Sequence, residues 1–112
     1  MKVKEIIERL GLEIVNIGDD IDSEVSKVFC CDLLSVAMGK APAKGAWVTV
    51  MGNVNTLAVA ALTETSFVVL AEGSRLDEMA VAKAAQQGIT VVRSEKPVYE
   101  TARDIDILLN GI

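Results

Sequence analysis

The chain has no histidine, and its only two cysteines are the neighbours Cys30 and Cys31. Without imidazole there is no side chain whose ordinary pKa lies between pH 5 and 8, so the commonest general acid-base and the commonest metal ligand are both absent. Adjacent cysteines build neither a CxxC redox pair nor a Cys/His zinc site within one chain. On a strand, neighbouring residues point to opposite faces, which predicts one buried and one partly exposed thiol. A reactive role would require a lowered thiol pKa near the helix start that follows.

Basic residues are also outnumbered. Eleven Lys and Arg against 16 Asp and Glu leave a net charge of -5. With no basic stripe to neutralise phosphates, nucleic acid is excluded as a partner. Long apolar runs are missing too, because Ala58 to Leu62 and Phe67 to Ala71 are separated by Thr63, Glu64, Thr65 and Ser66. Both fall far short of the ~18 residues of a membrane span, so no membrane association is expected. The charged start Met1-Lys2-Val3-Lys4-Glu5 leads into no signal-type apolar core, which points to the cytoplasm.

Two metal or nucleotide motifs fail on inspection. Gly18-Asp19-Asp20-Ile21-Asp22 lacks the glycine and terminal glutamate of a calcium loop, and a solvated turn is expected there. Met38-Gly39-Lys40-Ala41 resembles the end of a phosphate-binding loop, but Leu34 replaces the first glycine and Ala41 the Ser or Thr after the lysine. No cofactor is implied.

What the chain does have is a repeated grammar of strand followed by helix. Strand-forming runs at Val25 to Cys31, Ala46 to Met51, Ser66 to Ala71 and Ile89 to Val92 each give way to a polar turn and a helical segment. Such alternation returns the strands in parallel. The expected fold is a three-layer α/β domain, with a mainly parallel sheet and helices on both faces. Phe67-Val68-Val69-Leu70-Ala71 has the unbroken apolar character of a strand covered on both sides.

Ahead of these units, Lys2 to Leu10 reads as an amphipathic helix stopped by Gly11, and Leu12 to Ile17 alternates as a short strand. Asp32 is the expected cap of a helix that Gly39 ends, Asn55 of a helix from Thr56 to Leu62, and Ser74 with Asp77 of a third, which Gly88 stops. Pro97 opens the last helix.

Residues 1–112 are read as a single domain, long enough to bury a core without staples. A 51% hydrophobic fraction is high for so small a unit. Apolar surface is therefore expected against another chain, most simply in a homodimer. Trp47, Thr49 and Met51 share a strand face by period-two geometry, read first as core and second as a dimer anchor.

In parallel sheets ligands bind beyond the carboxyl ends of the strands. The turns there bring Cys31, Asp32, Gly52, Asn53, Asn55, Gly73, Ser74, Arg75 and Ser94 toward one edge. The candidate ligand-binding residues are Asp32, Asn53, Asn55, Gly73, Ser74 and Arg75. Helix amino termini at that edge suit an anion, and Arg75 adds a bidentate phosphate contact, whereas Asp32 opposes one.

Cys31-Asp32-Leu33-Leu34-Ser35-Val36-Ala37-Met38-Gly39, then Trp47-Val48-Thr49-Val50 and Asn55-Thr56-Leu57-Ala58-Val59-Ala60, resemble stand-alone members of the DRTGG domain family. The resemblance runs over about residues 22 to 110. It implies a compact α/β domain similar to the amino-terminal domain of HPr kinase/phosphorylase, a unit also fused to phosphotransacetylases and to pyrophosphatases with nucleotide-sensing modules. In those settings it serves regulation or dimerisation. The signature turn is reduced here to Glu72-Gly73-Ser74-Arg75, and Asn53 stands where histidine is frequent. The catalytic P-loop of HPr kinase is missing.

Two functional readings follow. One is a non-catalytic regulatory or interaction module that dimerises and binds a nucleotide, another phosphorylated small molecule or a protein partner. The alternative is a small enzyme using Asp32 as general base, with Ser35 or Thr49 beside it.

Overall fold

Parallel strands need crossover helices, and this chain supplies one after each of the strands that pair in that way. The computed structural model describes residues 1–112. In chain order it contains α1 (Val3–Leu10), β1 (Glu13–Asn16), β2 (Val28–Cys30), α2 (Leu34–Lys40), β3 (Ala46–Thr49), α3 (Val54–Leu62), β4 (Phe67–Leu70), α4 (Glu78–Gln87), β5 (Val91–Arg93) and α5 (Val98–Asn110). The five strands form one sheet in the order β1-β5-β4-β3-β2. From β2 to β5 the neighbours are parallel, and β1 joins β5 antiparallel across a bulge at Val15.

The expected three layers are present. On one face α2, α3 and α4 pack through Ala37, Leu57, Ala60, Ala80 and Ala84 onto Trp47, Val68, Leu70 and Val91. On the other, α1 and α5 pack through Val3, Ile6, Ile7 and Ile105 onto Ala46, Val48, Phe67, Val69 and Val92. All four residues of β3 and of β4 are buried, as central strands covered on both sides must be. Gly11 and Gly88 stop α1 and α4 in the left-handed conformation, where a residue without Cβ pays no steric penalty.

Several local expectations shift. β2 is only three residues long; Val25 is buried beside α1 but outside it. Gly39 does not end α2, which runs on to Lys40. Trp47 is core rather than dimer anchor: it is almost fully buried, and its indole Nε1 donates to the Cys31 carbonyl at 3.0 Å.

The acidic turn is docked on the sheet, not simply solvated. The Thr90 hydroxyl donates to Asp20 Oδ1 at 2.6 Å and accepts from the Gly18 amide at 2.9 Å. The Asp19 amide reaches the Gly88 carbonyl at 2.9 Å. A Cβ on Gly18 would lie 2.1 Å from that carbonyl oxygen, so the close backbone approach requires glycine. Burial pushes the Asp20 carboxyl above its usual range, against the opposing pull of the Thr90 hydrogen bond. Asp22 instead pairs at the surface with Lys4 at 2.7 Å.

Candidate functional site at the carboxyl edge of the sheet

The turns after β2, β3, β4 and β5 line the edge at which a parallel sheet holds its ligands. Each turn there is fastened to the next by groups that a ligand would otherwise use.

Asp32 follows β2 but does not cap α2. Leu33 occupies the cap position with no side-chain hydrogen bond. The Asp32 carboxylate turns instead to the neighbouring strand, where Oδ1 accepts from the Thr49 hydroxyl at 2.7 Å and the Val50 amide at 2.9 Å. Thr49, fully buried, also accepts from the Met51 amide at 3.2 Å. The aspartate thus pins the chain where it leaves β3.

Beyond Met51, Asn53 and not Asn55 begins α3. The Asn53 Oδ1 accepts from the Thr56 amide at 3.1 Å, while Asn55 lies exposed in the first turn. The amides of Val54 and Asn55 make no hydrogen bond within the chain, as the first donors of a helix do not. Gly52 sits so close to the next loop that a Cβ there would meet the Arg75 carbonyl oxygen at 2.1 Å. The Asp77 amide donates to the Gly52 carbonyl at 3.1 Å.

After β4, Glu72 and Gly73 both take left-handed conformations, with φ of 60° and 64°. The Ser74 amide closes on the Ala71 carbonyl at 3.0 Å, the pattern of a type I′ turn. Successive amides in a turn often cradle anions, yet here the donors are spent. The Glu72 amide goes to the Lys96 carbonyl at 2.9 Å and the Gly73 amide to the Ser94 carbonyl at 2.8 Å. Ser74 does not cap α4; Asp77 does, accepting from the Ala80 amide at 2.8 Å. Arg75 is exposed and makes neither a hydrogen bond nor an ion pair.

Arg93 was absent from the sequence expectations. Its side chain is only 13% exposed; Nε donates to the Ser74 carbonyl at 3.2 Å and a terminal nitrogen pairs with Glu13 at 2.7 Å. Only the antiparallel register of β1 on β5 brings Glu13 opposite it, and that pairing joins residues 80 positions apart. Nearby, the Ser94 and Thr101 hydroxyls share a hydrogen bond of 2.9 Å, and Lys96 pairs with Asp104 at 2.8 Å.

The cysteines follow the same economy. The Cys31 thiol, half-buried, donates to the Leu33 carbonyl at 3.2 Å. Cys30 is on the exposed side of β2, where desolvation of its sulfur and the Asp32 charge push the thiol above its ordinary range. That is the reverse of what a reactive thiolate requires.

Concave surface lies elsewhere. A cavity of about 480 Å³ opens between α1, β1 and the 18–22 turn, lined mainly by Ile7, Leu12, Ile14, Ile17 and Ile21. A second of about 250 Å³ is bordered by Arg9, Ser94, Lys96, Thr101 and Asp104. None of Asp32, Asn53, Asn55, Gly73, Ser74 and Arg75 lines a cavity. No group of three or more acidic or cysteine side chains is placed to hold a metal ion. No helix is long and apolar enough to cross a membrane.

A model of the DRTGG domain matches residues 5–108. Among solved structures, the CBS and DRTGG domains of the regulatory region of Clostridium perfringens pyrophosphatase, complexed with its activator diadenosine tetraphosphate, superpose with a TM-score of 0.75 at 15% identity. That likeness covers 93% of this chain and 45% of the other, so this chain spans less than half the length of that structure. At such identity the match speaks for the fold. No curated protein matches the chain.

Proposed function

Because this chain belongs to the DRTGG domain family, with the family model spanning residues 5–108, we propose that it is a non-catalytic regulatory module that works as a homodimer. The observation that carries the non-catalytic part of this reading is the state of the carboxyl edge. Asp32 holds Thr49 and Val50, Asn53 and Asp77 cap helices, and the amides of Glu72, Gly73 and Ser74 close loops. A catalyst needs a group of tuned pKa free to meet its substrate. Asp32, the base in the enzyme reading, has its Oδ1 committed to two internal donors, and its Oδ2 lines no cavity in which a substrate would be held. The reading treats residues 1–112 as one unit, in the cytoplasm, where free thiols stay reduced.

A second reading adds a ligand at the same edge. Its support is the pair of unspent α3 amides at Val54 and Asn55, next to a Gly52 packed on the backbone of the exposed Arg75. Amides at a helix start together with an arginine suit a phosphate, and the pyrophosphatase regulatory region that shares this fold is complexed with a nucleotide. Of the six sequence candidates, Asn55 and Arg75 remain the ligand residues on this reading; Asp32, Asn53, Gly73 and Ser74 become its frame.

The test is light scattering of the purified chain combined with thermal melting in diadenosine tetraphosphate, ATP, AMP and acetyl phosphate. A ligand that binds only the native state adds about 2.7 kcal/mol of stability at one hundred times Kd and so raises Tm. A dimer is the expected result, with any nucleotide-induced rise abolished in Arg75→Ala. A monomer at every concentration would refute the module as proposed, and a ligand effect untouched by Arg75→Ala would refute the second reading.

A further inference from the structure

The two helical layers differ sharply in charge. On one face α1 and α5 carry four charged residues each; on the other α2 and α3 together carry one, Lys40, and α4 adds Glu78 and Lys83. From Leu33 to Thr63 there is no acidic residue at all, in a chain that has 16. On and beside α2 and α3 much of the outward side is apolar. Leu33 is 59% exposed, Val36 39%, Met38 47% and Leu62 71%, and Ala58 and Ala61 are exposed between them. Helices facing water normally put charge on the outer stripe, as α1 and α5 do. Gly39, inside α2, has no neighbour within 4 Å of the place its Cβ would take, so nothing in the chain itself needs its small size.

We propose that this face is the dimer interface, with α2 of one copy packed antiparallel against α2 of the other across a two-fold axis. The proposal rests on the dimeric reading above and specifies its surface. Charge selects a second copy as the occupant. Two chains of net charge -5 repel wherever their acids meet, and the α2–α3 surface is where they can approach without doing so. The two ends of α2 then complement each other. Asp32 precedes the helix by two residues and Lys40 is its last. Both internal bonds of Asp32 use Oδ1, leaving Oδ2 free, and Lys40 forms no ion pair within the chain. Seven residues lie between them, and the helix itself, Leu34–Lys40, spans roughly 10 Å. An antiparallel mate therefore sets Lys40 against the partner's Asp32 at both ends at once, as an isologous contact demands.

The experiment is sedimentation velocity over a concentration series on the full chain and three variants. Val36→Glu places a carboxylate at the centre of the contact and is expected to raise the dimer Kd about 30-fold or more, the scale of a lost interface anchor. Lys40→Glu, on the rim, is expected to raise it about two- to fivefold, with the effect shrinking in high salt. Ile17→Glu, in the apolar groove beside β1, is expected to leave the dimer intact. Since Val36 is exposed, the variant should keep the far-UV circular dichroism of the parent; Met38→Glu takes its place if it does not. A wild-type dimer that Val36→Glu or Met38→Glu leaves unchanged, or that Ile17→Glu dissociates, overturns the assignment of the face while leaving the dimer standing. A wild-type monomer overturns both.

Discussion

Asn53 and Asn55 lie two residues apart at the start of α3, and replacing each with alanine separates the helix cap from its exposed neighbour. The Asn53 Oδ1 accepts from the Thr56 amide at 3.1 Å and lies 3.4 Å from the Thr56 hydroxyl. Thr56 is fully buried, so water does not readily replace the lost acceptor. Loss of a cap costs typically ~1 kcal/mol, rising to about 2 kcal/mol at the upper end of the range. For a chain of this length the unfolding entropy is about 0.24 kcal/mol/K, which turns that loss into a fall in Tm of roughly 4–8 °C. Asn55 is exposed, its side chain makes no hydrogen bond, and alanine is the better helix former by some tenths of a kcal/mol. Asn55→Ala should therefore melt at or slightly above the parent, and Asn53→Asp, which still caps, within about 2 °C of it. The assay is thermal unfolding followed by circular dichroism at one fixed protein concentration, because a dimer's Tm depends on concentration. A fall below 1 °C for Asn53→Ala, or an equal fall for Asn55→Ala, would refute the assignment of the cap.

Other outcomes follow from single contacts. The raised Asp20 carboxyl pKa means that the folded chain holds this proton more tightly than the unfolded chain. Its contribution is present in full below the ordinary carboxyl value and is lost as pH rises through the folded one. Asp20→Asn keeps an acceptor for Thr90 without the buried charge. Its urea midpoint relative to the parent should therefore rise from pH 3.5 to pH 7; a flat difference would contradict the burial. Gly18→Ala forces a Cβ onto the Gly88 carbonyl and should cost about 1–3 kcal/mol in urea unfolding, whereas neutrality would disprove the close approach. Cys30 should react with iodoacetamide at pH 7.5 more slowly than a free thiol in spite of its exposure, and a faster rate would contradict the raised thiol pKa.

The parts of the fold legible from sequence are those decided by short-range chemistry. The unbroken apolar β4, the glycine stops at Gly11 and Gly88, and the proline opening α5 need no knowledge of distant residues. The errors fall where two local solutions are about equal and a remote contact chooses. Either asparagine caps a helix, and α3 starts at the earlier one, where Gly52 locks against the Arg75 backbone. Asp32 reads as a cap because an apolar run follows it, but the end of β3 offers a hydroxyl and an amide in its reach. Arg93 is silent in sequence for the same reason, since its partners Glu13 and Ser74 come from an antiparallel edge strand and a loop. That the turns after the parallel strands gather at one edge was legible, while the internal use of most of their donors was not.

The account stands most directly on the mass of the particle in solution. Light scattering on the eluting wild-type peak at tens of micromolar should give about twice the 11.9 kDa chain mass. A peak that holds the mass of one chain at that concentration and at tenfold higher would contradict it.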